Sequence, residues 1–320
     1  MNQLLFSLQL MAMASMALAA EPKVFVPQIE GSWWQVAGNP DLGELTGSRQ
    51  QPVDFAVWQA ADGTWQLWSC IRGTKTPGNT RLFYRWEGRK LTDANWKPMG
   101  IAMQADASLG ETPGGLQAPH VFRHGKLFYM FYGDWENICV ATSTDGKTFT
   151  RRVNADGPTG LFTEGKGNNT RDAMVLRIGD LWHCYYTAFP KKEGAVFCRT
   201  SKDLLNWSDS RRVAFGGRAG SGPLDAECPF VFERKRGEFY LFRTQRYGRD
   251  AITRIYRSND PLRFGINEDE TYFVSTLPVA APELIQHKGK LYIAALRTGL
   301  DGIQVARLKW VPRNQQISTP

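Results

Sequence analysis

The sequence predicts an all-β chain folded as a five-bladed β-propeller. From Val53 onward, short runs of aromatic and β-branched residues alternate with turns rich in Gly, Asp, Asn and Pro, and no long segment keeps a helical period. A unit of strand, glycine-containing turn, aromatic strand, loop and third strand occurs five times, at the spacing of roughly 50 to 60 residues that is typical of propellers. The predicted blades begin near residues 53, 118, 171, 226 and 282.

Each unit contributes three recognisable strands. The first strands begin at Asp54, Ala118, Asp172, Glu227 and Glu283. The second strands are Thr64–Ser69, Lys126–Tyr132, Leu181–Tyr186, Glu238–Arg243 and Leu291–Ala295. The third strands are Leu82–Trp86, Ile138–Ser143, Ala195–Arg199, Ile252–Tyr256 and Ile303–Arg307. A two-sheet sandwich is the alternative, but it gives no reason for five similar units.

The two ends of the chain complete the predicted ring. The fifth unit ends after Trp310 without an outermost strand, and Lys23–Val26 could supply that strand and cover the open edge. The tail from Pro312 is polar and is expected to be loose. Residues 21–320 are therefore predicted to form a single domain.

Residues 1–20 have the pattern of a cleaved secretory signal. An apolar segment between Leu4 and Met11 is followed by the small residues Ala19 and Ala20, although no Lys or Arg precedes it. A secreted or periplasmic location is therefore predicted, with a buried or disordered N-terminal segment as the alternative. No later run is long and apolar enough to span a bilayer.

Composition excludes several classes of function. Four histidines without HxH or HExxH spacing argue against zinc, so neither a metal nor a cofactor is predicted. The net charge of +8 is compatible with an acidic substrate or an anionic envelope; nucleic acid is excluded as a partner because Lys and Arg are dispersed. Of the five cysteines, Cys184 and Cys198 could pair across two strands, but buried free thiols are favoured.

Three carboxylates stand at or near the start of predicted first strands: Asp54, Asp172 and Glu227. Radial blades would bring these side chains together on the central axis. Cleavage of a glycosidic bond needs a protonated acid for the leaving oxygen and a carboxylate that attacks or activates water. Glu227 fits the general acid, Asp54 the nucleophile or base, and Asp172 the group that raises the pKa of the acid by charge repulsion.

These motifs resemble the five-bladed propeller glycoside hydrolases, chiefly families 32, 43 and 68. Arg171-Asp172 and Glu227-Cys228-Pro229 are similar to the Arg-Asp-Pro and Glu-Cys-Pro signatures of family 32, with Ala173 in place of the proline. The segment around Asp54 lacks the Asn-Asp-Pro-Asn-Gly motif of that family, and Ala118–Val121 resembles family 43. The resemblance implies the same three carboxylate roles and a carbohydrate substrate, and the departure at Asp54 favours inversion of stereochemistry.

Further residues are predicted to contact substrate. Glu283 and His120 lie near the start of first strands, Arg171 precedes Asp172, and the loops after the second strands share the face of the site. These loops carry Trp135, a possible stacking surface for a sugar ring, together with Arg246 and Arg297. They also carry the basic residues Arg72, Lys75, Lys191, Lys192 and Arg249, which suggest an anionic glycan.

Two other functions are compatible with the pattern. A non-catalytic carbohydrate-binding propeller is favoured by Ala173 and by the altered surroundings of Asp54, and opposed by the presence of all three acids. A protein-interaction platform would leave those acids unexplained.

Overall fold

Five antiparallel sheets make up the computed structural model, which describes residues 23–315. Strand β1 (Phe25–Gly38) comes first in the chain and belongs to the last sheet. The first blade contains β2 (Gln51–Gln59), β3 (Trp65–Arg72), β4 (Leu82–Gly88) and β5 (Lys97–Met103). The second contains β6 (Gln117–His124), β7 (Leu127–Gly133), β8 (Ile138–Ser143), β9 (Thr150–Arg151) and β10 (Gly160–Phe162).

The remaining blades repeat this order. The third blade contains β11 (Arg171–Ile178), β12 (Leu181–Ala188), β13 (Ala195–Ser201) and β14 (Arg211–Phe215). The fourth contains β15 (Glu227–Lys235), β16 (Glu238–Arg246), β17 (Ile252–Ser258) and β18 (Phe273–Leu277). The fifth contains β19 (Glu283–His287), β20 (Lys290–Leu296), β21 (Gly302–Pro312) and β1. The predicted all-β, five-bladed propeller is confirmed.

Helical structure is confined to short connections. One α-helical turn, α1 (Asp269–Tyr272), precedes β18, and single 3₁₀ turns occupy Gly43–Leu45, Ala107–Leu109, Pro190–Lys192, Gly217–Ala219, Gly248–Asp250 and Arg313–Gln315. Within residues 23–315, no helix has the length and apolar character needed to cross a membrane.

Strand β1 closes the ring, as predicted for the N-terminal segment. It pairs antiparallel with β21 from Phe25 opposite Pro312 to Gly38 opposite Gly302, and is 14 residues long. Val26 is fully buried, and the Arg234 guanidinium of the fourth blade lies 4.1 Å from the centre of the Phe25 ring. The fifth blade is therefore built from both ends of the described chain, which covers an edge that would otherwise be open.

The cores lie between neighbouring blades. Seven of the eight residues of β3 are buried, because a middle strand is covered by other sheets on both faces. The rings of Trp58 and Trp68 lie 6.0 Å apart in this layer. All five cysteines are free, and Cys184 lies opposite Arg199 rather than Cys198. The favoured prediction of free thiols is confirmed.

Candidate active site

A strained backbone position recurs near the start of the first strand of every blade. Five residues adopt positive φ angles at equivalent places: Asp54 (38°), Ala118 (40°), Asp172 (58°), Cys228 (41°) and Ala281 (48°). In the first four blades the pairing of the first and second strands shifts register there, which marks a β-bulge. Positive φ is costly for residues with a Cβ, and such strain persists where the surroundings enforce it.

The bulges bring Asp54, Asp172 and Cys228 together. One polar side-chain atom of each lies within 4.8 Å of the other two. The Asp54 carboxylate accepts hydrogen bonds from the Tyr247 hydroxyl at 2.9 Å and from the Cys228 thiol at 3.2 Å. Asp172 Oδ2 accepts from the Thr187 hydroxyl and from the Cys228 backbone N–H, each at 3.0 Å. Both carboxylates are thus held in place on the axis.

Arg171, the residue before the bulge at Asp172, forms an ion pair with Glu227. Arg171 donates from Nε to Glu227 Oε2 at 3.0 Å and from Nη2 to Oε1 at 2.6 Å, a bidentate contact between two buried side chains. Its Nη1 also donates to the Asn169 carbonyl, and its Nε lies 3.6 Å from Asp172 Oδ2. Arg171 therefore links Glu227 to the axial carboxylates and fixes the orientation of Glu227.

Burial and nearby carboxylates raise the pKa values of four groups in the site. Burial raises the pKa of Glu227 to about 8; Arg171 opposes this change, and the Asp172 charge adds to it. Burial and the Asp172 charge also raise the pKa of Asp54, against the hydrogen bonds from Cys228 and Tyr247. Burial and the neighbouring carboxylates raise the pKa values of Cys228 and Tyr247 well above their usual range, so both remain protonated donors near neutral pH.

A cleft with a volume of about 630 Å³ opens above the carboxylates, a size typical of small-molecule sites. Its walls come from the first four blades and contain Asp54, Arg72, Arg81, Gln117, Trp135, Asn169, Arg171, Phe189, Leu224, Glu227, Gln245, Arg246, Tyr247 and Asp250. Below it, a cavity of about 20 Å³ lined by Asp54, Asp172 and Glu283 has room for one water.

The other predicted contact residues are placed unequally. Trp135 and Arg246 line the cleft. His120 and Glu283 are absent from its walls; they lie 3.9 Å apart in the channel below, where His120 Nε2 contacts the Val175 carbonyl at 3.3 Å. Burial raises the pKa of Glu283, and the neighbouring His120 imidazole acts against that change.

Arg297 is placed differently from its prediction. Its guanidinium contacts Gln35 of β1 and donates to Asp301 at 3.1 Å, and it is not part of the cleft wall. Arg297 therefore forms an ion pair within the fifth blade and connects strand β1 to the β20–β21 loop.

Several residues in the site were not singled out from the sequence. Tyr247 contacts Asp54 across 193 positions of the chain, and Arg81 stacks on Trp135 with 4.6 Å between the guanidinium carbon and the ring centre. Phe189 lies 5.5 Å from the Arg171 guanidinium. Tyr247 neighbours Arg246 in a loop assigned to the site face, and that loop position is the one signal that could have identified it.

Asp54, Asp172 and Cys228 also have the spacing of a possible metal site. A thiol binds metals as the thiolate, and in this structure the Cys228 thiol instead donates a hydrogen bond to Asp54.

Comparison with solved structures identifies the same architecture in carbohydrate-active enzymes. A thermostable family-43 glycoside hydrolase superposes with a TM-score of 0.61 at 16% identity, covering 83% of this chain and 91% of that one. An endo-arabinase from Bacteroides thetaiotaomicron gives 0.60 at 13% identity, covering 84% and 97%. A GH32 β-fructofuranosidase of Bombyx mori, solved with sucrose, gives 0.57 at 18% identity, covering 85% of this chain and 62% of the longer enzyme.

No family model matches the chain. No curated protein matches it either. At these low identities the likeness is one of fold, and the chain shares the five-bladed propeller architecture of these glycoside hydrolases.

Proposed function

We propose that the protein is a glycoside hydrolase that cleaves poly- or oligosaccharides with Glu227 as general acid and Asp54 as nucleophile or base. The observation that carries this proposal is the convergence of Asp54, Asp172 and Glu227 at one cleft, where Arg171 contacts both Asp172 and Glu227. Burial raises the pKa of Glu227 to about 8, which favours its protonated form at neutral pH. Opposed protonation states within one set of carboxylates are the requirement of this chemistry. The fold shared with glycosidases supports the same conclusion.

Each carboxylate has a role that follows from its contacts. Glu227 gives its proton to the leaving oxygen, and Arg171 stabilises the carboxylate that results. Asp54 must act as the anion, and two donors, Tyr247 and Cys228, stabilise that form. The Asp172 charge raises the pKa of Glu227 and of Asp54, which makes Asp172 the modulator of the pair.

The cleft has the surfaces that a sugar requires. Trp135, Phe189 and Leu224 present apolar groups to the cleft, and Leu224 is 67% exposed there. Sugar rings pack their C–H faces on such groups while their hydroxyls bind polar side chains. Arg246, which is exposed on the wall, is proposed to bind substrate; His120 and Glu283 would act from the channel beneath.

Secretion is part of the proposal and is supported by the apolar and small-residue pattern of residues 1–20, which lie outside the described residues. N-terminal sequencing of the protein from the culture medium or periplasm would test it. Recovery of the protein only from the cytoplasm, with residues 1–20 still attached, would contradict it.

One observation favours a non-catalytic sugar-binding propeller instead. The bidentate contact with Arg171 stabilises the ionised form of Glu227, whereas a general acid must be protonated. In that case the cleft would bind sugars without turnover.

The two functions are separated by hydrolysis of p-nitrophenyl furanosides and pyranosides, together with unactivated oligosaccharides. Glu227→Gln should lower turnover by about 10²- to 10⁴-fold on poor leaving groups and by much less on p-nitrophenyl glycosides. Glu238→Gln is the matched control, because Glu238 is buried on the same blade but paired with Arg234 and Arg257. Equal losses on both kinds of substrate, or binding without hydrolysis, would contradict the assignment.

A further inference from the structure

A second cavity, of about 580 Å³, adjoins the cleft between the fifth and first blades. Arg72 and Arg81 line both spaces, so the two cavities share a wall. Arg49, an exposed residue, lines the second cavity but not the cleft. The site face thus has room for more than the sugar unit that is cleaved over the axis.

The guanidinium of Arg72 has a fixed orientation at this shared wall. It is the last residue of β3 and lies opposite Gln51, the first residue of β2. The Gln51 side-chain oxygen accepts hydrogen bonds from its Nε at 3.1 Å and from its Nη2 at 2.8 Å. These bonds fix the guanidinium plane and leave its other N–H groups available, so little side-chain entropy is lost when a ligand binds.

Arg81 is oriented by Trp135, the aromatic residue of the cleft. Trp135 has a positive φ of 85°, in a turn where Asp134 Oδ1 accepts from the N–H groups of Glu136 and Asn137 at 3.0 and 2.6 Å. The fully buried Asp134 therefore presents the Trp135 ring against the Arg81 guanidinium. A planar cation stacked on an aromatic ring is a fixed recognition surface.

The charges of this cavity are not balanced by protein acids. Across residues 23–315, no salt bridge to a carboxylate is formed by Arg49, Arg72 or Arg81. The acid in the lining, Asp301, is occupied by Arg297. Arginines that are oriented but lack an anionic partner are suited to bidentate binding of sulfate or carboxylate groups.

We propose that the second cavity is a subsite for an anionic sugar unit, bearing sulfate or carboxylate, that neighbours the unit being cleaved. This inference rests on the proposed function, because it assigns the substrate class of the same site. The axial position itself carries Asp54 and Asp172, which would repel an anionic group. The arginines accept that group one position away, and the Arg72 charge also lowers the pKa of Asp54.

The test is equilibrium binding in the Glu227→Gln background, which prevents turnover. The probes are a sulfated galactan tetrasaccharide with its desulfated counterpart and a uronate tetrasaccharide with its carboxyl-reduced counterpart, measured by calorimetry at 20 and 500 mM NaCl. Arg49→Ala and Arg81→Ala remove the proposed contacts. Arg89→Ala removes an exposed arginine from a different cavity, lined by Trp65 and His287, and serves as the control.

We expect at least one anionic probe to bind about tenfold more tightly than its neutral counterpart at low salt, because exposed charges are screened over about 10 Å at 0.1 M salt. Arg49→Ala and Arg81→Ala should each reduce that preference, high salt should reduce it further, and Arg89→Ala should leave it unchanged. Equal binding within both pairs would overturn the inference, as would a preference that is as large in Arg49→Ala and Arg81→Ala as in the parent protein.

The result can be separated from that of the proposed function. Hydrolysis of neutral glycosides without any anionic preference would refute the subsite alone. An anionic preference that depends on Arg49 and Arg81, in a protein that hydrolyses nothing, would refute catalysis and keep the subsite.

Discussion

Replacing Glu227 by Gln should change how the free energy of unfolding depends on pH. Glu227 is 8% exposed, and its pKa in the folded protein is about 8, compared with 4.5 for an unperturbed glutamate. Between these values the unfolded chain has lost the proton while the folded protein keeps it. Stability must therefore fall as pH rises from about 4.5 to about 8, and the loss is complete above that range.

The size of the effect follows from the two pKa values. At about 1.4 kcal/mol for each pH unit, the wild type should lose about 5 kcal/mol through Glu227 alone. Asp54 and Glu283, whose pKa values are also raised, add to the slope of both proteins. The difference between wild type and Glu227→Gln isolates the contribution of Glu227 and should favour the variant increasingly with pH.

Urea denaturation of both proteins at intervals between pH 5 and pH 9 measures this difference. Glu238→Gln is again the control: burial alone would raise the pKa of Glu238, but Arg234 and Arg257 hold it below its usual value. Glu238 is ionised in both states over this range, so its variant should differ from wild type by a constant amount. A constant difference for Glu227→Gln as well would show that Glu227 is ionised in the folded protein, which refutes the general-acid role.

Three further changes test the site and the ring. Asp172→Asn removes a charge that raises the pKa of Glu227, so the alkaline limb of the kcat/KM profile should move to lower pH; an unmoved limb would contradict the modulator role. Tyr247→Phe removes a hydrogen bond that lowers the pKa of Asp54, so the acidic limb should move to higher pH and kcat/KM should fall roughly tenfold; a wild-type profile would show that the hydroxyl is dispensable. Val26→Ala should cost about 1 to 3 kcal/mol in chemical denaturation, because Val26 is fully buried in the closing strand; a cost near zero would mean that β1 adds little to the ring.

The fold could be predicted because its signals are local. Hydrophobic strands alternate with glycine turns, such as Gly125 and Gly289, which adopt the positive φ angles that tight turns need. The number of repeats of this pattern gives the number of blades. Because the fifth repeat lacks an outermost strand, a strand from elsewhere in the chain must cover its edge.

The convergence of the three carboxylates could be predicted in outline, since Asp54 lies beside Asp172 and Arg171 joins Asp172 to Glu227. What the sequence does not show is the bulge that directs Asp54 and Asp172 to the axis, because no glycine or asparagine marks those positive φ angles. The strain is enforced by contacts from distant blades. Tyr247 and Arg297 illustrate the same limit: their side chains are placed by Asp54 and Gln35, partners 193 and 262 positions away.

The pairing of β1 with β21 also sets the order in which the protein can fold. Among the described strands, Phe25–Gly38 is the first to be synthesised, whereas its partner, Gly302–Pro312, is the last. Contacts so distant in sequence form slowly, and both strands have unpaired edges until they meet. Closure of the ring must therefore wait for the last of the described strands, and until then the edge of β1 is open to pairing with other chains.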